Sequence, residues 1–194
     1  MENSSFATTQ TKKPRTGKTT VLDMVYIALS AALIAVCSQI SIPTAIPFTL
    51  QTLAVFITAG LLGTTKGTIS VIVYILLGLI GVPVFANFSG GAGALFGMTG
   101  GYIIGFIFTA LAVGLITKFF GKGIISLAVS MVIGLLLCYA FGTAWFMVVY
   151  GNSVGAISLM EALGMCVFPY LLFDAAKIAV AIVVVKVVSK YVKF

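Results

Sequence analysis

The sequence contains no histidine, only four acidic residues and a single tryptophan among its 194 residues. The missing histidine removes the side chain most often used as a general base near neutral pH and the commonest metal ligand. Three cysteines, Cys37, Cys138 and Cys166, are scattered without a CxxC pair, so neither a disulfide framework nor a metal site is indicated. Each reads as a small buried apolar residue. Charged residues make up 8% of the chain, against ~25% in a typical soluble domain. Four acids and eleven bases cannot solvate a chain that is 61% hydrophobic with a mean hydropathy of +1.23. A soluble globular protein, a disordered chain and most polar catalysis are thereby excluded. What is present is long apolar sequence: 24–65, 67–117 and 123–160 carry no charge at all. These runs are continuous rather than alternating, which suits helices and not the strands of a membrane barrel.

A membrane span needs ~20 residues. Residues 1–20 form a polar, Ser/Thr-rich tail with Lys12, Lys13, Arg15 and Lys18, read as a solvated arm and not as a cleaved signal peptide. TGKTT at 16–20 matches the end of a phosphate-binding loop, but Lys12 stands where that motif needs glycine and no strand precedes it. The rest of the chain, 21–194, accommodates six spans, placed at 21–41, 48–63, 68–81, 101–117, 124–149 and 170–189. With the tail in the cytoplasm, Lys66, Lys118 and Lys122 fall in cytoplasmic loops, and Lys186, Lys190 and Lys193 fall at the cytoplasmic end of span six. No outer loop carries Lys or Arg. This positive-inside pattern predicts a multi-pass protein of the cell membrane with both termini cytoplasmic. The net charge of +7 is therefore explained by topology and anionic lipid, not by nucleic acid.

Some polar residues are left over. Asp23 opens span one, where a carboxylate suits a helix N-terminus. Glu161 sits in the outer region between spans five and six, which can also hold a short interfacial helix ending at Pro169. Asp174 and Lys177 lie inside the last apolar run, three residues apart on one helix face with Tyr170 and Ala181. Intramembrane ionisable residues are expensive and face the protein interior or a cavity. The pair either neutralises itself as a structural fastener or lines a ligand pocket. The segment 90–101, GGAGALFGMTGG, holds six of the 21 glycines and carries no charge. With Leu95 and Phe96 it is expected to fold inward beside Asn87 and Ser89, since non-helical backbone at membrane depth must be buried or line a cavity. Gln51, in PFTLQT, is either a ligand group or merely interfacial. In span one Ala28/Ala32 and Ala31/Ala35 form small-residue stripes that suit close helix approach, inside the bundle or against another subunit. Trp145 and most of the phenylalanines are taken as packing or lipid-facing residues.

Taken in order, IPFTLQTLAVFITAGLLG, LLGLIGVPVFANFSGGAGALFG, TGGYIIGF, FGTAW and FDAAK resemble the successive motifs of the BioY family, over about residues 45–180. These are the biotin-binding membrane subunits (S components) of energy-coupling-factor transporters. The resemblance implies an all-α bundle of six transmembrane helices with an outward-facing biotin pocket. It also implies a membrane scaffold subunit and a pair of cytoplasmic ATPases as partners, so this chain is not an enzyme and needs no cofactor or metal. Carried over motif by motif, it marks Asp174, Lys177, Asn87, Gln51, Gly90, Gly91 and Tyr102 as substrate-binding residues. It marks Ala28, Ala31, Ala32 and Ala35 as the scaffold-docking face. Two departures stand out. Met98 occupies the proline position of the family's GPTGGY. Ala92 and Ala94 occupy a stretch where some relatives carry a basic residue, so contacts to the ligand carboxylate come from elsewhere. The rival expectations are an S component for another small vitamin, a biotin carrier that works without ATPases, an intramembrane enzyme built on Ser89, and a small channel.

Overall fold

The computed structural model describes residues 20–42 and 47–192. The tail with its four bases, Pro43 and Lys193 lie outside the described residues. The chain is helical: α1 (Val21–Gln39), α2 (Gln51–Leu79), α3 (Ala92–Leu95), α4 (Gly100–Phe120), α5 (Ile124–Ser153), α6 (Leu159–Cys166) and α7 (Leu171–Tyr191). The exception to an all-helical chain is a short antiparallel pair, β1 (Ser41–Ile42) with β2 (Phe48–Thr49), joining α1 to α2.

Helix α2 is two spans, not one. Gly63 interrupts it at φ 73°, ψ −168°, a conformation open in practice only to glycine. In a straight helix Gln51 and Tyr74 would be ~35 Å apart. Instead the Gln51 Nε2 donates to the Tyr74 hydroxyl at 2.6 Å. The same reversal brings Gly67 against Ala59, where a Cβ on Gly67 would lie 3.0 Å from the Ala59 backbone. Both pairs are centred on Gly63, so the chain folds back there without a connecting loop. The sequence-based boundaries at 63 and 68 placed a loop where a single residue makes the turn. With α1, the two arms of α2, α4, α5 and α7, the spans number six.

Among the described residues, four helices are long and apolar enough to cross a membrane by hydropathy alone: α1, α2, α4 and α5. Helix α7 is less apolar because it carries Asp174, Lys177, Lys186 and Lys190. Helices α4 and α5 run antiparallel and approach closely at small residues, as helices in lipid do. Gly105 lies against Cys138, Gly134 against Thr109, and Gly142 opens the space that the Tyr102 ring fills. The Thr109 hydroxyl donates to the Gly134 carbonyl at 2.9 Å and ties the same seam.

The two ends of the bundle differ in charge. At one end Thr20 caps α1 through a capping box with Asp23, and Asp23 pairs with Lys66 at 2.6 Å beside the Gly63 turn. Lys122 donates to the Leu61 carbonyl at 2.7 Å, filling an acceptor that the break in α2 leaves open. Asp23 thus does more than decorate a helix terminus, and Lys66 more than orient a loop: together they fasten α1 to the hairpin. At the other end the chain closes with the β1–β2 pair, the 80–99 segment and α6. Here Ser158 and Glu161 form a second capping box, and the Ser158 amide N–H holds the Glu161 carboxyl below the usual carboxylate range.

Candidate ligand-binding site

A cavity of about 230 Å³ opens at the end away from the Lys66 cluster. That is slightly under the ~300–1,000 Å³ of drug-sized clefts, and it suits a vitamin-sized ligand. Its walls come from every part of that end: Phe48 and Gln51 from the entry to α2, Asn87 from the loop, Tyr102 from α4, Tyr139 from α5, and Asp174 with Lys177 from α7. The lining is mostly apolar, with these few polar groups converging on it.

The charged wall is built on one turn of α7. Asp174 and Lys177 are 3% and 6% exposed, and the Lys177 ammonium donates to Asp174 Oδ1 at 2.7 Å. The second carboxylate oxygen accepts from the Tyr139 hydroxyl. The ammonium also lies 4.1 Å from the Phe48 ring centroid, a cation–π contact worth ~2 kcal/mol when desolvated. Asp174 is held from two sides and Lys177 from two, so both present fixed geometry to the cavity. An ammonium carries three donors, of which the carboxylate takes one.

The other polar groups of the lining are uncharged. Asn87 lies in a 3-10 turn over residues 86–88, with φ 57°, and its Oδ1 accepts from the Ser41 hydroxyl at 2.8 Å. Gln51 is 4% exposed, and its bond to Tyr74 passes on to the Val84 carbonyl, which Tyr74 reaches at 3.2 Å. The Tyr102 hydroxyl pairs with Thr143 Oγ1 at 2.9 Å. Such an arrangement can accept from ligand N–H groups at Asp174, donate to a ligand carbonyl from Lys177, and enclose an apolar body between Phe48, Phe106 and Leu135.

The model of the BioY family matches residues 9–194. The chain belongs to the BioY family. It is 40% identical to the biotin transporter BioY of Thermotoga maritima over 159 residues, covering 81% of this chain and 90% of that one. It is 35% identical to the probable biotin transporter BioY of Pyrococcus horikoshii, over the same shares of each chain. The fold matches the crystal structure of the S-component for biotin from an ECF-type ABC transporter with a TM-score of 0.79 and 27% identity, over 90% of this chain and 94% of that one. This BioY chain is thus a multi-pass membrane protein with the S-component bundle.

Five of the residues marked in the sequence, Asp174, Lys177, Asn87, Gln51 and Tyr102, meet around the cavity. Gly90 and Gly91 do not line it. Gly90 lies where a Cβ would come within 2.5 Å of the Val82 carbonyl, and Gly91 takes φ 84°, so the loop's own shape requires glycine at both. The alanine stripes of α1 also divide. Ala28 and Ala32 are exposed, but Ala31 is 2% exposed within the core and Ala35 packs against that core. Ala31 is therefore part of the core and not of the exposed surface of α1.

Leu95 folds inward as expected, whereas Phe96 points outward and stacks on Trp145. Trp145 itself anchors the glycine segment, donating from Nε1 to the Gly97 carbonyl at 3.0 Å. Tyr139 and Phe48 went unnoticed in the sequence. Tyr139 is 35 residues from the carboxylate it contacts, and an apolar run gives no sign of such a pairing. Phe48 stood beside the flagged Gln51, but only the fold shows that it meets Lys177.

Proposed function

We propose that this chain is the biotin-binding S component of an energy-coupling-factor transporter. The observation that carries the proposal is the buried Asp174–Lys177 pair lining, together with Asn87, a vitamin-sized cavity in a BioY-family chain. Biotin's bicyclic head offers two urea N–H donors and one carbonyl acceptor. Asp174 accepts a urea N–H, Lys177 donates to the urea oxygen, and Asn87 serves either role. Hydrogen bonds to charged groups contribute ~1.5–3 kcal/mol each. The thiophane ring and valerate chain occupy the apolar walls, and the tail carboxylate lies toward the part of the 90–99 segment that lines the cavity, at Ala94 and Thr99.

The positive-inside rule puts the Lys66 and Lys122 end in the cytoplasm and the cavity outside, with the tail as a cytoplasmic extension of a single 21–194 membrane domain. The chain binds and presents its ligand but hydrolyses nothing. A membrane scaffold subunit docked on the exposed Ala28/Ala32 stripe and two cytoplasmic ATPases drive delivery inward. Calorimetric titration of the detergent-purified protein tests the substrate. Biotin is expected to saturate one site per chain, and thiamine and riboflavin are expected to give no heat. Binding of either control vitamin, or no binding of biotin to protein stripped of co-purified ligand, would overturn the assignment.

A further inference from the structure

Asn87 is held in a backbone conformation that its own residue type does not enforce. Asn87 and Phe88 are the non-glycine residues with positive φ among the described residues, at 57° and 54°. Consecutive left-handed residues are strained for L side chains and persist only where the surroundings over-determine them. Those surroundings are the last turn of α1. Gln39 brackets the 86–88 turn from both sides: Nε2 donates to the Phe85 carbonyl at 3.1 Å, and Oε1 accepts from the Phe88 amide at 2.9 Å. One carboxamide thus supplies the donor and the acceptor that a paired strand would otherwise supply. Ser38 steadies it, accepting from Gln39 Nε2 at 2.9 Å and donating onward to the Val84 carbonyl.

We infer that Gln39 is a positioning residue for the ligand, clamping the turn that presents Asn87 to the cavity. The inference rests on the biotin reading of that cavity. Gln39 is not among the lining residues, so it acts through Asn87 and not by contact. It also sits on α1, the helix whose Ala28 and Ala32 face outward. Any displacement of α1 relative to the loop therefore opens the clamp and loosens Asn87.

The test uses the full chain in detergent. Gln39→Met keeps the length of the side chain and removes both hydrogen bonds to the turn together with the one to Ser38. In ligand-free protein, hydrogen exchange over 85–89 is expected to quicken, because the Phe88 N–H loses its acceptor. Unchanged exchange would overturn the clamp. Biotin affinity is expected to fall roughly tenfold, the size of one or two lost hydrogen bonds. In an Asn87→Ala background the same substitution is expected to change affinity by less than about twofold, since residues acting as one unit are not additive. Full additivity would overturn the inference and make Gln39 a general structural residue. Failure of the unsubstituted chain to bind biotin would sink the functional reading, leaving the exchange result to decide the clamp. Should Gln39→Met not fold, Gln39→Glu takes its place; it sets a carboxylate against the Phe85 carbonyl and is expected to show the same loss and the same non-additivity.

Discussion

Removing Lys177 and then removing the whole pair separates the two roles open to Asp174 and Lys177. Lys177→Met leaves a carboxylate that is 3% exposed with Tyr139 as its remaining hydrogen-bond partner. Breaking a buried pair from one side costs ~3–5 kcal/mol in soluble proteins, because the survivor is left uncompensated. The double variant Asp174→Asn, Lys177→Met removes both charges, and the Asn carbonyl still accepts from Tyr139. Replacing a buried pair by neutral groups of similar volume is often neutral or stabilising, so stability is expected to return to within about 1 kcal/mol of the parent. Binding is not expected to return. Two charge-assisted hydrogen bonds at ~1.5–3 kcal/mol each amount to roughly two to four orders of magnitude in affinity. Thermal denaturation in detergent reads the first quantity and biotin titration the second. A double variant that is stable and binds biotin at the parental affinity would refute the reasoning and reduce the pair to a fastener of α7.

Four further outcomes follow from the geometry. Gly101→Ala is expected to lower stability by ~1–3 kcal/mol through overpacking, since its Cβ would lie 2.2 Å from Trp145 Cβ. Gly63→Ala is expected to cost a similar ~1–3 kcal/mol with no clash at all, because only its φ of 73° is strained; denaturation midpoints check both. The Glu161 cap should depend on pH in one direction. With its folded pKa below the ordinary 4.5, its contribution is present above that value and is lost as pH falls through the folded one. Protection of the α6 amides, after correction for the intrinsic slowing of exchange in acid, should fall on acidification, and Glu161→Gln should flatten that response. Finally, Trp145 is the single tryptophan and holds the Gly97 carbonyl, so biotin entry should shift its fluorescence, whereas thiamine should not.

Much of the fold was legible because lipid constrains it so tightly. Every backbone polar group must be satisfied within a span, so uncharged runs announce helices and lysines announce one face of the membrane. Charge thrift likewise singled out Asp174 and Lys177, since an intramembrane ion needs a reason. Less was legible where the deciding fact is a torsion or a long-range contact. Gly63 looks like many other glycines in the sequence, yet it alone reverses α2 between its two arms. Hydropathy could not tell the exposed Ala28/Ala32 stripe from Ala31, because alanine is equally at home facing lipid, a partner or the core. Gly90 and Gly91 were flagged for ligand approach, and only the fold shows the loop's own need for glycine there, at the Val82 carbonyl and at a positive φ. Tyr139 and Gln39 escaped notice because they act on groups 35 and 46 or more residues away.

The central claim is that biotin lies between the Asp174–Lys177 pair and Asn87. An experimentally determined structure of the purified chain saturated with biotin tests it most directly. The bicyclic head is expected in the cavity within hydrogen-bond distance of Asp174 and Asn87, with the valerate chain along Phe48 and the apolar wall. Biotin found elsewhere on the bundle, with the Asp174–Lys177 and Tyr139 contacts closed on themselves and no ligand beside them, would contradict the account.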